Sequence, residues 1–190
     1  RSCSSAASDV YKRQINNNGA IEHFSEFKKI TFGDRKKHQS NDLLLFYKTC
    51  KRTKFDVSIS EDITLDLWKK WVFIATVAGA TTLFNCPLGE ISEHAVGKKT
   101  LSDLYDECRS IAKFSGYIIN DLETKNVLKN IMTPGSLIKA SMLRDIEKKG
   151  FTEHEEIFGD LISNAEKFNF DCPILKACYL RMKIYRENLN

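Results

Sequence analysis

Two charged side chains stand where their helices should present apolar residues. In LWKKWVFIATVAGATTLFNCPLGEI (67–91) no charge occurs between positions 71 and 84, yet Lys69 and Lys70 stand directly before that run. Helical positions three and four apart share a face, so Ile63, Leu67, Lys70, Ile74, Val77 and Thr81 form one stripe with Lys70 inside it. Lys69 is displaced from the stripe by about 100° and is expected to point to water. A lysine seated in this way is a candidate for proton chemistry. The same spacing fits a lysine that lays its methylenes on the core and pairs with Asp66 one turn back, and spacing alone favours that plainer role. In FTEHEEIFGDLISNAEKF (151–168), Thr152 and Glu155 are spaced as a capping box, and Ile157, Phe158, Leu161, Ile162 and Ala165 form the apolar stripe. Glu153 precedes Ile157 by four and Leu161 by eight, which projects it from the first turn along the buried face. Its plainer role is a favourable charge at a helix N-terminus.

Other chemistries are poorly supported. The six cysteines include no C-x-x-C pair, and the four histidines no H-E-x-x-H or close pair. Neither a zinc site nor a disulfide framework is expected, and reduced thiols in a cytoplasmic protein fit best. The net charge of +4 is unevenly spread. Residues 1–14 carry three basic and one acidic residue, residues 15–60 nine and five, and residues 61–190 seventeen and nineteen. The C-terminal bulk is therefore at −2, and no basic stripe with interleaved aromatics suggests a nucleic-acid partner. The clusters GDRKKHQ (33–39) and TCKRTKF (49–55) read as solvated surface charge. The uncharged run is shorter than the roughly 20 apolar residues of a spanning helix and is broken by Thr76, Gly79, Thr81 and Thr82, so it reads as a core helix and no membrane partner is expected.

The elements that must hold Lys70 and Glu153 follow from periodicity. KKITFGD (28–34) and FDVSIS (55–60) alternate with period two, and SNDLLLFYKTCKRT between them reads as a capped helix, giving a strand–helix–strand unit of the kind used in parallel sheets. Beyond residue 60 the pattern is helical, with helices expected at 62–84, 101–115, 121–132, 136–148, 153–168 and 173–187. Their punctuation is Pro87 with Gly89, Gly116, Pro134 with Gly135, Gly150, and Asp171 before Pro173. Three segments are expected. Residues 1–14, RSCSSAASDVYKRQ, resemble the translated remnant of a sequencing adapter and are set aside as non-native. Residues 15–60 read as the last edge of a sheet whose other strands lie upstream, and residues 61–190 as one helical domain, long enough to bury a core. The first methionine is Met132, which predicts the back part of a longer protein.

The helix 67–91 and the segment ASMLRDIEKKGFTEHEEIFGDLISNAEKFNFDCPIL (140–175) together resemble the C-terminal domain of the ketopantoate reductase family. That pattern is a Leu-Trp-x-Lys helix closing on a Cys/Ala-Pro-x-Gly-Glu turn, then Ser-Met-Leu-x-Asp, then Thr-Glu-Ile-Asp and a glycine. All appear in order, with TEHEE standing for Thr-Glu-Ile-Asp, and NNNGAIEHFSEFKKITFGD resembles the end of the family's nucleotide-binding domain. The resemblance spans roughly residues 17–187. It implies a mainly α fold: an all-helical C-terminal domain of the 6-phosphogluconate dehydrogenase type, preceded by a remnant strand–helix–strand edge of a Rossmann domain. It further implies NADPH-dependent reduction of a small-molecule 2-keto acid, most directly ketopantoate to pantoate, with a homodimer as one assembly open to it. Carried onto matching motifs, the site residues are Lys70, Ser141 and Glu153. Lys70 would polarise the keto oxygen and donate a proton as general acid. Glu153 would hydrogen-bond the substrate hydroxyl end, and Ser141 would bind the carboxylate end.

Three positions depart from the pattern. Where family members often carry asparagine, this chain has Ile74, Ala78 and Ile138, which predicts a less polar 2-keto acid or an inactive copy. None of the nine glycines is spaced as G-x-G, so residues for binding NADPH are expected outside this chain, and the chain alone is expected not to catalyse. A helical interaction or dimerisation module without catalysis remains the alternative.

Overall fold

The computed structural model describes residues 13–15, 18–23 and 29–189. The expected non-native segment 1–14 lies outside them except for Arg13 and Gln14. The chain divides into two compact units, Arg1–Thr64 and Leu65–Asn190.

In the first unit β1 (Arg13–Ile15) and β2 (Ile21–His23) form an antiparallel hairpin that periodicity does not announce. The next three elements are β3 (Lys29–Phe32), α1 (Asn41–Cys50) and β4 (Asp56–Ile59). The two strands pair in parallel from Lys29↔Asp56 to Phe32↔Ile59, as the strand–helix–strand reading requires. Ser40 begins α1 with its hydroxyl accepting from the Leu43 N–H at 3.2 Å, one of the orphan donors of a helix start. Phe46 reaches Phe32 edge-on at 4.8 Å between centroids. No residue of α1 is buried, and Leu45 and Phe46 remain exposed.

The second unit is helical and has one core. Its elements are α2 (Ile63–Phe84), α3 (Leu88–Glu93), α4 (Ala95–Phe114), α5 (Asp121–Ile131), α6 (Ser141–Glu147), a π-helical turn (Glu155–Gly159) that runs directly into α7 (Asp160–Lys167), and α8 (Pro173–Glu187). The mainly α architecture matches the expectation. Residues 75–82 of α2 are buried on all sides. The polar residues there remain satisfied because Thr76, Thr81 and Thr82 each donate to a carbonyl one turn back, Val72, Val77 and Ala78, at 2.7–2.8 Å. A Cβ on Gly79 would lie 3.1 Å from both Cys178 Sγ and Leu104 Cδ2, so glycine lets α4 and α8 close on α2. Among the described residues no helix is long and apolar enough to cross a membrane.

Two helix boundaries differ from expectation for one reason. Pro87 and Gly89 stand at the start of α3, an element absent from the expected list. The Leu88 and Gly89 N–H groups of its first turn donate to the carbonyls of Ile138 and Ser136 at 3.0 and 2.9 Å. Residues 136–140 are therefore kept out of the helix, and α6 starts at Ser141 rather than 136. A Cβ on Gly89 would overlap the Ser136 backbone, so this glycine permits close approach and does not end a helix. Gly97 plays the same part against the Ile91 carbonyl, which lets α4 begin at Ala95 instead of 101.

Candidate functional site

Lys70 lies on the second turn of α2, and it is exposed. Of its stripe, Val77 and Thr81 are buried, Ile63 and Ile74 half-buried, and Leu67 is 50% exposed. Lys70 therefore stands where a core-facing stripe comes to the surface, beside Leu67, Phe73 (38% exposed) and Ile74. The expected partner of Asp66 is corrected. Lys69, not Lys70, approaches Asp66, at 3.6 Å, and its ammonium also donates to Glu123 Oε1 at 2.6 Å. Lys69 is thus turned onto α5 instead of into water. Burial acts to lower its pKa, but the Glu123 hydrogen bond and the charges of Glu123 and Asp66 outweigh that and hold it above the usual lysine value. Among the described residues no side-chain hydrogen bond or ion pair holds Lys70.

Glu153 is also exposed, which corrects its expected placement along the buried face. The inward position is taken by His154, 5% exposed, whose Nδ1 pairs with the Thr152 hydroxyl at 2.9 Å. The capping box does not form, because the Thr152 hydroxyl faces that ring and the Glu155 carboxylate accepts from Tyr179 Oη at 2.6 Å. This hydrogen bond is the main cause that pushes the Tyr179 phenol up to about 12. Glu153 lies ahead of the helix, which begins at His154, so helical spacing does not govern where its side chain projects. The stripe beyond it holds: Phe158, Leu161, Ile162 and Ala165 are buried.

Ser141 opens α6 and is exposed, while Met142 and Leu143 behind it are buried in the core. Among the described residues no side-chain hydrogen bond links Ser141 to Lys70 or Glu153. Lys70 and Glu153, by contrast, occupy adjoining segments. Trp71 Nε1–H donates to the Ile157 carbonyl at 3.0 Å, and the Ile157 N–H donates to the Glu153 carbonyl at 3.1 Å. Sequence reasoning missed Trp71. Its signal was chemical, since a partly buried indole N–H needs an acceptor, but nothing local named Ile157 as that acceptor. The described residues contain no cluster of three or more histidine, cysteine or acidic side chains suited to a metal ion.

In chain order a parallel β–α–β unit is followed by a helical domain that carries an exposed lysine and an exposed glutamate on adjoining segments, the architecture of one class of reductase C-terminal domain. Residues 62–185 match the family model of the ketopantoate reductase PanE/ApbA C-terminal domain, and the chain belongs to that family. It is 30% identical over 171 residues to the uncharacterized oxidoreductase YkpB of Bacillus subtilis, covering 90% of this chain and 56% of that protein. Among solved structures, the dimeric ketopantoate reductase from Staphylococcus aureus superimposes with a TM-score of 0.77 at 17% identity, covering 94% of this chain and 60% of that one. D-mandelate dehydrogenase in complex with NADH does so with a TM-score of 0.79 at 15% identity, covering 94% and 61%. The chain thus spans little more than half the length of these relatives.

Proposed function

We propose that this chain is the substrate-side part of an NADPH-dependent 2-keto acid reductase, with reduction of ketopantoate to pantoate as the conversion its family implies. The carrying observation is the adjoining placement of Lys70 and Glu153 through Trp71 and Ile157. A nicotinamide cofactor would supply the hydride. The described residues of this chain do not fit its pyrophosphate: the single glycine after β3, Gly33, would bring a Cβ within 2.8 Å of the Ser60 carbonyl oxygen, so its bareness makes room for the end of β4. The chemistry assigned to this chain is therefore confined to the substrate.

As negative charge grows on the keto oxygen, the Lys70 ammonium stabilises it and transfers a proton to it. Glu153 accepts a hydrogen bond from the hydroxyl end and orients the substrate against Lys70, and Ser141 binds the carboxylate end. Among the described residues the Lys70 ammonium has no side-chain partner to compete for that task, whereas Lys69 is committed to Glu123 and Asp66. In this reading the parent protein works in the cytoplasm, in pantothenate and coenzyme A synthesis, as a homodimer. A second reading, a less polar 2-keto acid, is favoured by the apolar surroundings of Lys70, with Leu67 and Phe73 exposed and Ile74 half-buried.

The test uses the parent protein carrying its nucleotide-binding part, with NADPH oxidation followed against ketopantoate and against 2-keto acids with aliphatic or aromatic side chains. Turnover of ketopantoate supports the first reading, and preference for the apolar acids the second. No turnover of any of them contradicts both.

A further inference from the structure

The proposed reduction needs Lys70 and Glu153 at a set separation, although they lie 83 positions apart on different segments. On the path through Trp71 they are joined by one covalent step, Lys70 to Trp71, and two hydrogen bonds, Trp71 Nε1–H to the Ile157 carbonyl and Ile157 N–H to the Glu153 carbonyl. Ile157 sits in the middle of the π-helical turn, a geometry found mostly as single-turn bulges and frequently at functional sites. The turn is secured from its other side. Tyr179 on α8 donates to Glu155 Oε2 at 2.6 Å, and a Cβ on Gly159 would come within 2.8 Å of that oxygen. Before it, Thr152 and the buried His154 hold each other. Glu153 is thus an exposed residue with anchored neighbours on both sides. The Trp71 ring is fixed in turn by Trp68 at 4.9 Å between centroids, and Trp68 stacks on Tyr117 at 5.3 Å.

We propose that Trp71 is a positioning residue, which through its hydrogen bond to the Ile157 carbonyl sets where Glu153 stands relative to Lys70. The inference rests on the proposed 2-keto acid reduction. Trp71 itself touches no reacting atom. Its leverage is geometric, because a misplacement of about 1 Å can cost on the order of 10²-fold in rate.

Trp71→Phe in the parent protein keeps an aromatic ring and removes the donor. Trp68→Phe is the matched control, since it belongs to the same aromatic stack and its indole nitrogen makes no hydrogen bond among the described residues. Trp71→Phe is expected to lower kcat/KM by about 10- to 100-fold, and Trp68→Phe by less than about threefold. In a Glu153→Ala background Trp71→Phe should cost less than about threefold more, because residues that act through one another are not additive. Tyr179→Phe, which loosens the turn without touching α2, should show a smaller loss that also vanishes in that background, and it serves as the test if Trp71→Phe does not fold. Equal losses with and without Glu153, no loss at all, or a Trp68→Phe effect as large as that of Trp71→Phe would overturn the proposal. If the unmodified parent protein reduces no 2-keto acid, the proposed function falls and this inference with it. If it does and Glu153→Ala is impaired while the cycle is additive, only the inference falls.

Discussion

The two halves of α2 read alike in sequence and live in different surroundings. Every residue from 75 to 82 is buried, whereas between 67 and 74 only Val72 is, and Leu67, Lys70 and Phe73 are exposed. One uncharged run thus supplies both the centre of a core and an apolar surface around a lysine. Hydropathy reports the first use and conceals the second, because the chain carries no local mark for where neighbouring helices stop covering it. A lysine at the border needs no burial to be unusual: it is exposed, with apolar residues three and four positions away on the same helix face.

The same substitution made in each half gives the sharpest contrast. Ala78→Asn puts an amide at a site 1% exposed, where both the added volume and the unpartnered polar group count against it. A loss of roughly 2–4 kcal/mol is expected by urea unfolding, against about 1 kcal/mol for Ile74→Asn at its half-buried position. Equal losses would erase the distinction between the halves.

On the core side, the Glu107 carboxylate accepts from the Ile174 and Leu175 N–H groups at 3.1 and 2.8 Å and so caps α8, which packs against the buried half. Glu107→Ala should cost about 1–2 kcal/mol. Burial raises its pKa above the ordinary glutamate value, although both backbone donors pull it down. The folded state therefore holds the proton more tightly than the unfolded one. Its contribution to stability is greatest below the unfolded value and is lost as pH rises through the raised folded value. The urea midpoint should fall more between pH 4 and pH 7 for the parent sequence than for Glu107→Gln, and the opposite difference would refute the assigned direction.

On the surface side the two lysines should separate. Lys69→Ala removes the tie to Glu123 and Asp66 and should cost up to about 1 kcal/mol, whereas Lys70→Ala should stay within about 0.5 kcal/mol. A larger stability loss at Lys70 would mean that it holds the fold.

The strand–helix–strand unit, the helix ends at Phe84, Ile131 and Glu187, and the apolar stripe of α7 were legible because period and punctuation act locally. Gly89 misled and Gly97 gave no signal, since a glycine that permits close packing and one that ends a helix look identical until the partner backbone is known. Lys70, Ser141 and Glu153 were singled out by motif alone. What periodicity says of their surroundings was wrong for Glu153, because the helix begins only at His154 and leaves Glu153 ahead of it, while the stripe from Phe158 onward holds. The exchange of Lys69 for Lys70 as partner of Asp66 depended on Glu123, 54 positions away, which no window of helical spacing contains.

The central claim is that Lys70, and not its neighbour, serves the chemistry. The direct measurement is kcat for NADPH-dependent 2-keto acid reduction by Lys70→Ala and Lys69→Ala in the parent protein. Lys70→Ala should lose about 10²- to 10⁴-fold with little change in stability, and Lys69→Ala should keep turnover within about tenfold while unfolding more easily. Full turnover by Lys70→Ala would contradict the account.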